Sequence, residues 1–208
     1  MNGSVDPFKE VAKFTDYADF KQWCSHNKLP RGYAKAVWDF HEKEARDMEY
    51  KRERRHNIFE DGDPIAGTIT SPALLDLRFD APIRKTLVLV GPAGSGKVRW
   101  VLENSPKPIY IIRSPSDLRG FSKFLQRFPG YIKSMLFIQM DFKKYPYNEQ
   151  RNVVESQVPT ARIPYHGHGV KIPVNIQRTF VWSGDGFPFG EEAGVRRRMH
   201  IVNTNLAE

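Results

Sequence analysis

The sequence predicts an α/β fold with a central, mainly parallel sheet, preceded by a small helical segment. Three observations lead there. A β-branched and leucine run, Thr86-Leu-Val-Leu-Val90, opens directly into the glycine-rich stretch Gly91-Pro-Ala-Gly-Ser-Gly-Lys97. Further short apolar runs then alternate with stretches of helical spacing, the order that builds a parallel sheet with helices on its faces. The chain before the linker, residues 1–60, carries helical periodicity and no strand pattern.

Taken in order, Asp16 caps a helix that places Tyr17, Phe20, Trp23 and Cys24 on one face and is stopped by Pro30. A second helix is expected from about Arg31 to His56, with Tyr33, Val37 and Phe40 on a stripe. Its mixed-sign tail, Glu42 to Arg55, reads as a solvated face or as an arm for a subunit or DNA. Between Glu60 and Ser71 the composition turns to Asp-Gly-Asp-Pro and Gly-Thr-Ile-Thr-Ser-Pro, a linker, which divides the chain into 1–60 and 61–208. After the strand and glycine loop, Lys97 to Asn104 continues as a short helix halted by Pro106 and Pro108. Pro108 to Ile112 is the next strand. Ser114 or Ser116 caps a helix with Leu118, Phe121, Leu125 and Phe128 at helical spacing, closed by Pro129-Gly130. Ser134 to Met140 is an apolar strand, Arg162 to Pro173 a hairpin, Ile176 to Trp182 a further strand, and Arg196-Arg-Arg198 falls in a helix.

The glycine loop carries the sharpest chemistry. Successive backbone N–H groups of Gly91, Pro92, Ala93, Gly94, Ser95 and Gly96, proline excepted, can turn inward around phosphate oxygens. Lys97 would reach the terminal phosphates, and the helix that follows aims its positive end at the same charge. Val98 stands where such loops carry Ser or Thr, whose hydroxyl holds magnesium, and its isopropyl group offers the metal nothing. The carboxylate that phosphoryl transfer requires has one candidate, Asp141, at the end of the apolar strand beside Gln139. Asp141 is also a natural cap for the turn that follows it.

The chain has 208 residues and a formal net charge of +8, which favours an acidic partner, nucleic acid before an anionic membrane surface. Cys24 is the only cysteine, so no internal disulfide forms and a reducing compartment is expected. No run is apolar and long enough to span a membrane. In the hairpin, Tyr165-His-Gly-His-Gly169 presents His166 and His168 with Lys171 beside them. Lysine attracts backbone phosphate and imidazole stacks on bases, so contact with single-stranded nucleic acid is favoured over a metal site.

The ordered set of motifs resembles the helicase part of the replication-associated proteins of circular single-stranded DNA viruses, members of the superfamily 3 helicases. The matching features are Gly91 to Lys97, Met140-Asp-Phe-Lys-Lys-Tyr-Pro146, Arg162 to Pro173, the strand before Phe187-Pro-Phe189, and Arg196-Arg197. They cover roughly residues 70–203. Leu29-Pro-Arg-Gly-Tyr-Ala-Lys35 is similar to the helical connector that follows the family's nuclease domain. No His-x-His metal motif precedes it, and a separate nuclease chain is among the partners the resemblance allows.

The resemblance implies a P-loop NTPase that binds ATP with magnesium, assembles as a homo-oligomeric ring and moves along single-stranded DNA, or RNA, in a host nucleus or cytoplasm. It assigns Gly94, Gly96 and Lys97 to the ATP phosphates, Lys171 with His166 or His168 to the nucleic acid, and Arg196 or Arg197 to an arginine finger reaching a neighbour's nucleotide. Three catalytic positions depart from the pattern. Val98 replaces Ser or Thr, Ile138 and Gln139 replace an acidic pair, and the Asn expected near Ser183 or Gly184 is missing. Phosphate binding survives these changes; the positioning of magnesium and attacking water does not. The alternatives are an active ATPase using Asp141, a non-catalytic nucleotide- or DNA-binding oligomerisation module, and an unrelated P-loop kinase or GTPase.

Overall fold

The computed structural model describes residues 6–30, 32–53, 55–78, 85–155, 172, 173 and 176–205. The chain forms two compact units, residues 1–54 and 55–208. The first is helical. Helix α1 (Pro7–Glu10) runs into a 3-10 turn at Val11–Lys13 and is followed by α2 (Tyr17–His26) and α3 (Tyr33–Glu53). Asp16 caps α2 as its position predicts, its carboxylate accepting from the Ala18 N–H. Phe20 and Cys24 of α2 are buried against Val11, Ala34 and Val37, with Trp23 and Trp38 packed around them. Burial pushes the Cys24 thiol above its ordinary value.

The expected α3 stripe is shifted in this unit. Val37 is fully buried, but Tyr33 and Phe40 are 37% and 49% exposed and meet Phe8 edge-on instead. Ala34 and Trp38 take the core positions beside Val37. Spacing alone could not separate the rows: 33, 37 and 40 share a face with 34 and 38, and packing selects which side of that face turns inward.

The second unit is α/β. Its elements are β1 (Ile58–Phe59), α4 (Pro72–Leu75), β2 (Thr86–Val90), α5 (Lys97–Asn104), β3 (Ile109–Ile112), α6 (Pro115–Arg127), β4 (Ser134–Ile138), α7 (Tyr147–Val154), β5 (Gln177–Trp182), α8 (Ala193–Arg196) and β6 (Met199–Asn203). The six strands form one sheet in the order β1-β3-β4-β5-β2-β6. Only β1 is antiparallel to its neighbour; every other pair is parallel. Between β2 and β3 the chain crosses the sheet in one direction through α5, and from β3 to β4 it steps back through α6. Right-handed crossovers in opposite directions place the two helices on opposite faces.

The register makes the faces explicit. Leu87, Leu89, Leu136, Val181 and Ile111 point to one side, where Trp100, Val101 and Leu102 of α5 cover them. Val88, Phe180, Phe137 and Ile112 form the alternate row. On that side Phe137 and Phe180 stack at 4.3 Å, Phe142 stacks on Phe189 at 5.1 Å, and Tyr110 meets Phe121 of α6 at 4.9 Å. Leu118 and Phe121 of α6 are buried as expected, and Phe124, rather than the expected Leu125, joins them in the core.

Two polar anchors hold the helices to the sheet. Arg178 of β5, 1% exposed, donates to the carbonyls of Asn152, Val153 and Glu155 at the end of α7. These are the acceptors a helix leaves unpaired at its C-terminus. Burial pushes the Arg178 guanidinium down to about 10, and the nearby Glu155 charge works against that. Asp117 starts α6 by accepting from the backbone N–H groups of Arg113 and Ser114 and from the Ser114 hydroxyl, at 2.9, 2.9 and 3.0 Å. Its other oxygen accepts from Asn57 at 2.9 Å. Residues 55–60, expected within the helical segment, therefore belong to the second unit: Asn57 is tied to α6, and Ile58 and Phe59 pair with β3.

Burial of the Asp117 carboxyl works to raise its pKa, but these hydrogen bonds outweigh it and hold the group below the usual carboxylate value. Its stabilising contribution is present above the unfolded value and lost as pH falls through the lower folded one. Asp117→Asn should cost about 1–2 kcal/mol at neutral pH and flatten that acid limb, as measured by urea unfolding between pH 2 and 7.

Candidate functional site

Strand β2 is flanked by β5 and β6, and the glycine loop leaves its carboxyl end, where ligands of parallel sheets sit. Two glycines are required by geometry. Gly91 has φ +145°, and a Cβ there would collide with the Thr204 hydroxyl oxygen. Gly96 has φ +90°, and its Cβ would lie 2.5 Å from Ile69 Cα and 2.6 Å from the Thr68 carbonyl oxygen. At Gly96 the chain turns into α5, whose first helical bond runs from Trp100 N–H to the Gly96 carbonyl at 2.9 Å.

Lys97 turns back into the loop that precedes it. Its ammonium donates to the carbonyls of Gly91 at 2.7 Å and Pro92 at 2.5 Å, and to the Ser95 hydroxyl at 3.0 Å. With the side chain only 3% exposed, these acceptors replace water for all three protons. Burial lowers the Lys97 pKa from its ordinary value. The loop thus surrounds a cation, and an anion arriving at the cleft would meet that charge directly.

The cleft beside the loop has a volume of about 330 Å³. Ala66, Gly67 and Thr68 form one wall, the loop and the first turn of α5 form another, and Val181 and Ser183 at the end of β5 close it. Lys97 and Arg99 contribute positive charge to the lining, and among the described residues no carboxylate lines it. Arg99 is held by Glu103 at 2.6 Å and donates to the Gly67 carbonyl, which pins the wall to α5. The wall also bonds to the loop: the N–H groups of Thr70 and Ser71 both donate to the Ser95 carbonyl at 3.3 Å.

Val98 lines this cleft with a side chain that has no metal ligand to offer. Asp141 is exposed, and its carboxylate accepts from the Lys143 N–H at 2.9 Å, capping the turn after β4. Because β5 separates β4 from β2, the end of β4 stands about 10 Å from the strand that feeds the loop. Strand β4 stops at Ile138, not Met140, since Gln139 adopts φ +56°. The Gln139 carboxamide oxygen accepts from the Ser183 N–H at 3.1 Å, so this residue links the ends of β4 and β5. Among the described residues no group of three or more His, Cys, Asp and Glu could hold a metal ion.

The two arginines sit apart from the chain's own loop. Arg197 leads into β6, whose first residue pairs with Thr86 at the start of β2, the edge of the sheet opposite the loop. The Arg196 guanidinium lies 4.6 Å over the Phe187 ring. His166, His168 and Lys171 lie outside the described residues.

Four contributors were not identified from sequence. The 66–68 wall lies in a stretch of linker composition, Arg99 reads as part of a helix, Ser183 stands near the position of the missing Asn, and Thr204 follows a strand that no pattern marks. The one available signal was Thr68-Ile-Thr-Ser71, a short β-branched run inside the linker. Fold and site together define an α/β protein with a glycine loop closed around a buried lysine at the carboxyl ends of a mostly parallel sheet. No protein-family model matches the chain, and no curated protein matches it.

Gly96→Ala should separate the loop from the 66–71 wall and cost about 2 kcal/mol or more, through left-handed strain and the clash with Ile69. Urea unfolding of the two proteins measures it. An unchanged midpoint would mean that the loop is not packed as described.

Proposed function

We propose that the second unit is a P-loop, helicase-like domain that binds ATP through residues 91–98 and acts on single-stranded nucleic acid, with hydrolysis impaired. The observation that carries the reading is the buried Lys97 ammonium, enclosed by a glycine loop at the head of α5 and facing a cleft that no carboxylate among the described residues lines. Backbone N–H groups, the ammonium and the start of a helix are the parts that receive a polyphosphate. The strong positive balance of the chain, +8, supports a nucleic-acid partner.

The residues that would hold magnesium fit the ion poorly. Val98 has no oxygen, Ile138 and Gln139 carry no charge, and Asp141 is engaged in its own turn. The domain binds the triphosphate with main-chain donors and Lys97, and turns it over slowly or not at all. Arg197 and Arg196 would act only on a neighbour's nucleotide in a homo-oligomeric ring, given their place at the far side of the sheet from their own loop. A kinase or GTPase reading leaves the positive balance without a role.

Calorimetric titration should detect ATP binding that Lys97→Ala abolishes and that magnesium changes less than twofold. Because the ammonium is the binding form, affinity should fall as pH rises through the Lys97 pKa, which lies below the ordinary lysine value of 10.5. Val98→Thr with Ile138→Asp and Gln139→Asp should raise both magnesium dependence and turnover, read as phosphate release. Wild-type turnover at about 1 s⁻¹ or faster, unchanged by the triple substitution, would overturn the impaired-hydrolysis reading.

The nucleic-acid part is tested separately. Fluorescence titration of single-stranded DNA should give an affinity that falls with salt, with a slope of about −0.7 per neutralised phosphate, and little sequence preference. A salt-independent or undetectable affinity would remove nucleic acid from the proposal.

A further inference from the structure

We propose that Thr204, the residue after the last strand, is a positioning residue that holds the glycine loop and Lys97 in the geometry that receives a phosphate. The inference rests on the nucleotide-binding reading above and adds a part of the chain far from the loop in sequence.

Thr204 is fully buried. Its N–H donates to the Val90 carbonyl at 2.7 Å, fastening the chain after β6 to the last residue of β2. Its hydroxyl donates to the same carbonyl at 3.2 Å and lies 3.0 Å from the Ser95 hydroxyl. Ser95, also buried, accepts from the Lys97 ammonium at 3.0 Å. A hydroxyl has one proton to give. Either hydroxyl can donate across the Ser95–Thr204 contact; with the Thr204 proton on the Val90 carbonyl, Ser95 donates to Thr204. One directed chain of hydrogen bonds therefore runs from Lys97 through Ser95 and Thr204 to the end of β2.

The same side chain also shapes the loop by contact. Thr204 occupies the space a Cβ on Gly91 would need, so the first residue of the loop is pressed against it. Ser95 is in turn bonded through its carbonyl to Thr70 and Ser71 of the cleft wall. Thr204 thus supports the loop at its start and, through Ser95, near its end. Removing the hydroxyl would leave a buried Ser95 proton without an acceptor and free Ser95 to turn away from Lys97.

Thr204→Val keeps the volume and removes the oxygen. It should speed hydrogen exchange at the amides of residues 91–97 and weaken ATP binding, each about tenfold, while Thr204→Ser restores both. Ser95→Ala should do the same, and the double variant Ser95→Ala with Thr204→Val should be no weaker than Ser95→Ala alone, because both act on one chain of bonds. Additive losses, or loop exchange that is unchanged in Thr204→Val, would overturn the proposal. If Thr204→Val fails to fold, loop exchange in Ser95→Ala decides the same question. A wild type that binds no ATP would sink the nucleotide reading, and the exchange measurement would still decide the role of Thr204.

Discussion

A buried ammonium must find acceptors, and the arrangement of this site follows from how Lys97 finds them. Its three partners all come from the loop immediately before it, so the loop has to curl around the side chain, and the curl requires φ values near +145° and +90° at Gly91 and Gly96. A curled loop exposes its outer surface to whatever packs there. The 66–71 wall covers it on one side and Thr204 on the other, each so close that a single methyl group would not fit. The loop is therefore held from outside by two segments and filled from inside by its own lysine. The cost of that arrangement is a cation out of water, visible as the lowered Lys97 pKa.

The sheet supplies the rest of the geometry. Parallel strands end at one edge, so Val90, Ser183 and Thr204 meet there although they are far apart in the chain. The strand order then decides what chemistry is within reach. Ser183 on the neighbouring strand lines the cleft, whereas β4 lies one strand farther away and contributes Gln139 as a tie to Ser183, not a charge. A site built in this way has cations and main-chain donors without the carboxylates that hold magnesium and orient water. Binding and hydrolysis, usually supplied together, are separable on these grounds.

Much of this was legible in the sequence, for identifiable reasons. The runs at Thr86–Val90 and Ile109–Ile112 are buried on both faces and so read as near-continuous apolar strands. Strand β6 escaped because it lies at the sheet edge: His200 and Ile201 are exposed, and the arginines before it resemble a helix end. Strand β1 has only two residues, too few for any period. The wall at 66–71 has the Gly, Thr, Ser and Pro content of a linker because its backbone must approach Gly96 closely and bond through main-chain groups; side-chain pattern carries no trace of such contacts. Asp141 could be placed at the end of β4 but not aimed, since the left-handed turn at Gln139 breaks the alternation on which aiming depends.

The self-filled loop also bears on how tightly a phosphate could be held. In the free protein Lys97 already has three acceptors, two of them neutral carbonyls, so an incoming phosphate oxygen gains only the difference between a charge-assisted bond and the bond it displaces. The displaced ammonium–carbonyl bonds are themselves charge-assisted, so what the anion would add is the Coulomb attraction between two opposite charges. Each displaced carbonyl must then be satisfied by water or by loop rearrangement. Segments that hold the loop in place limit that rearrangement, and through it Thr204 and the 66–71 wall would act on the affinity of the proposed site although neither touches the Lys97 ammonium. Among the described residues of the lining, Arg99 is the cation besides Lys97, and its pairing with Glu103 would set how much of its charge a ligand meets.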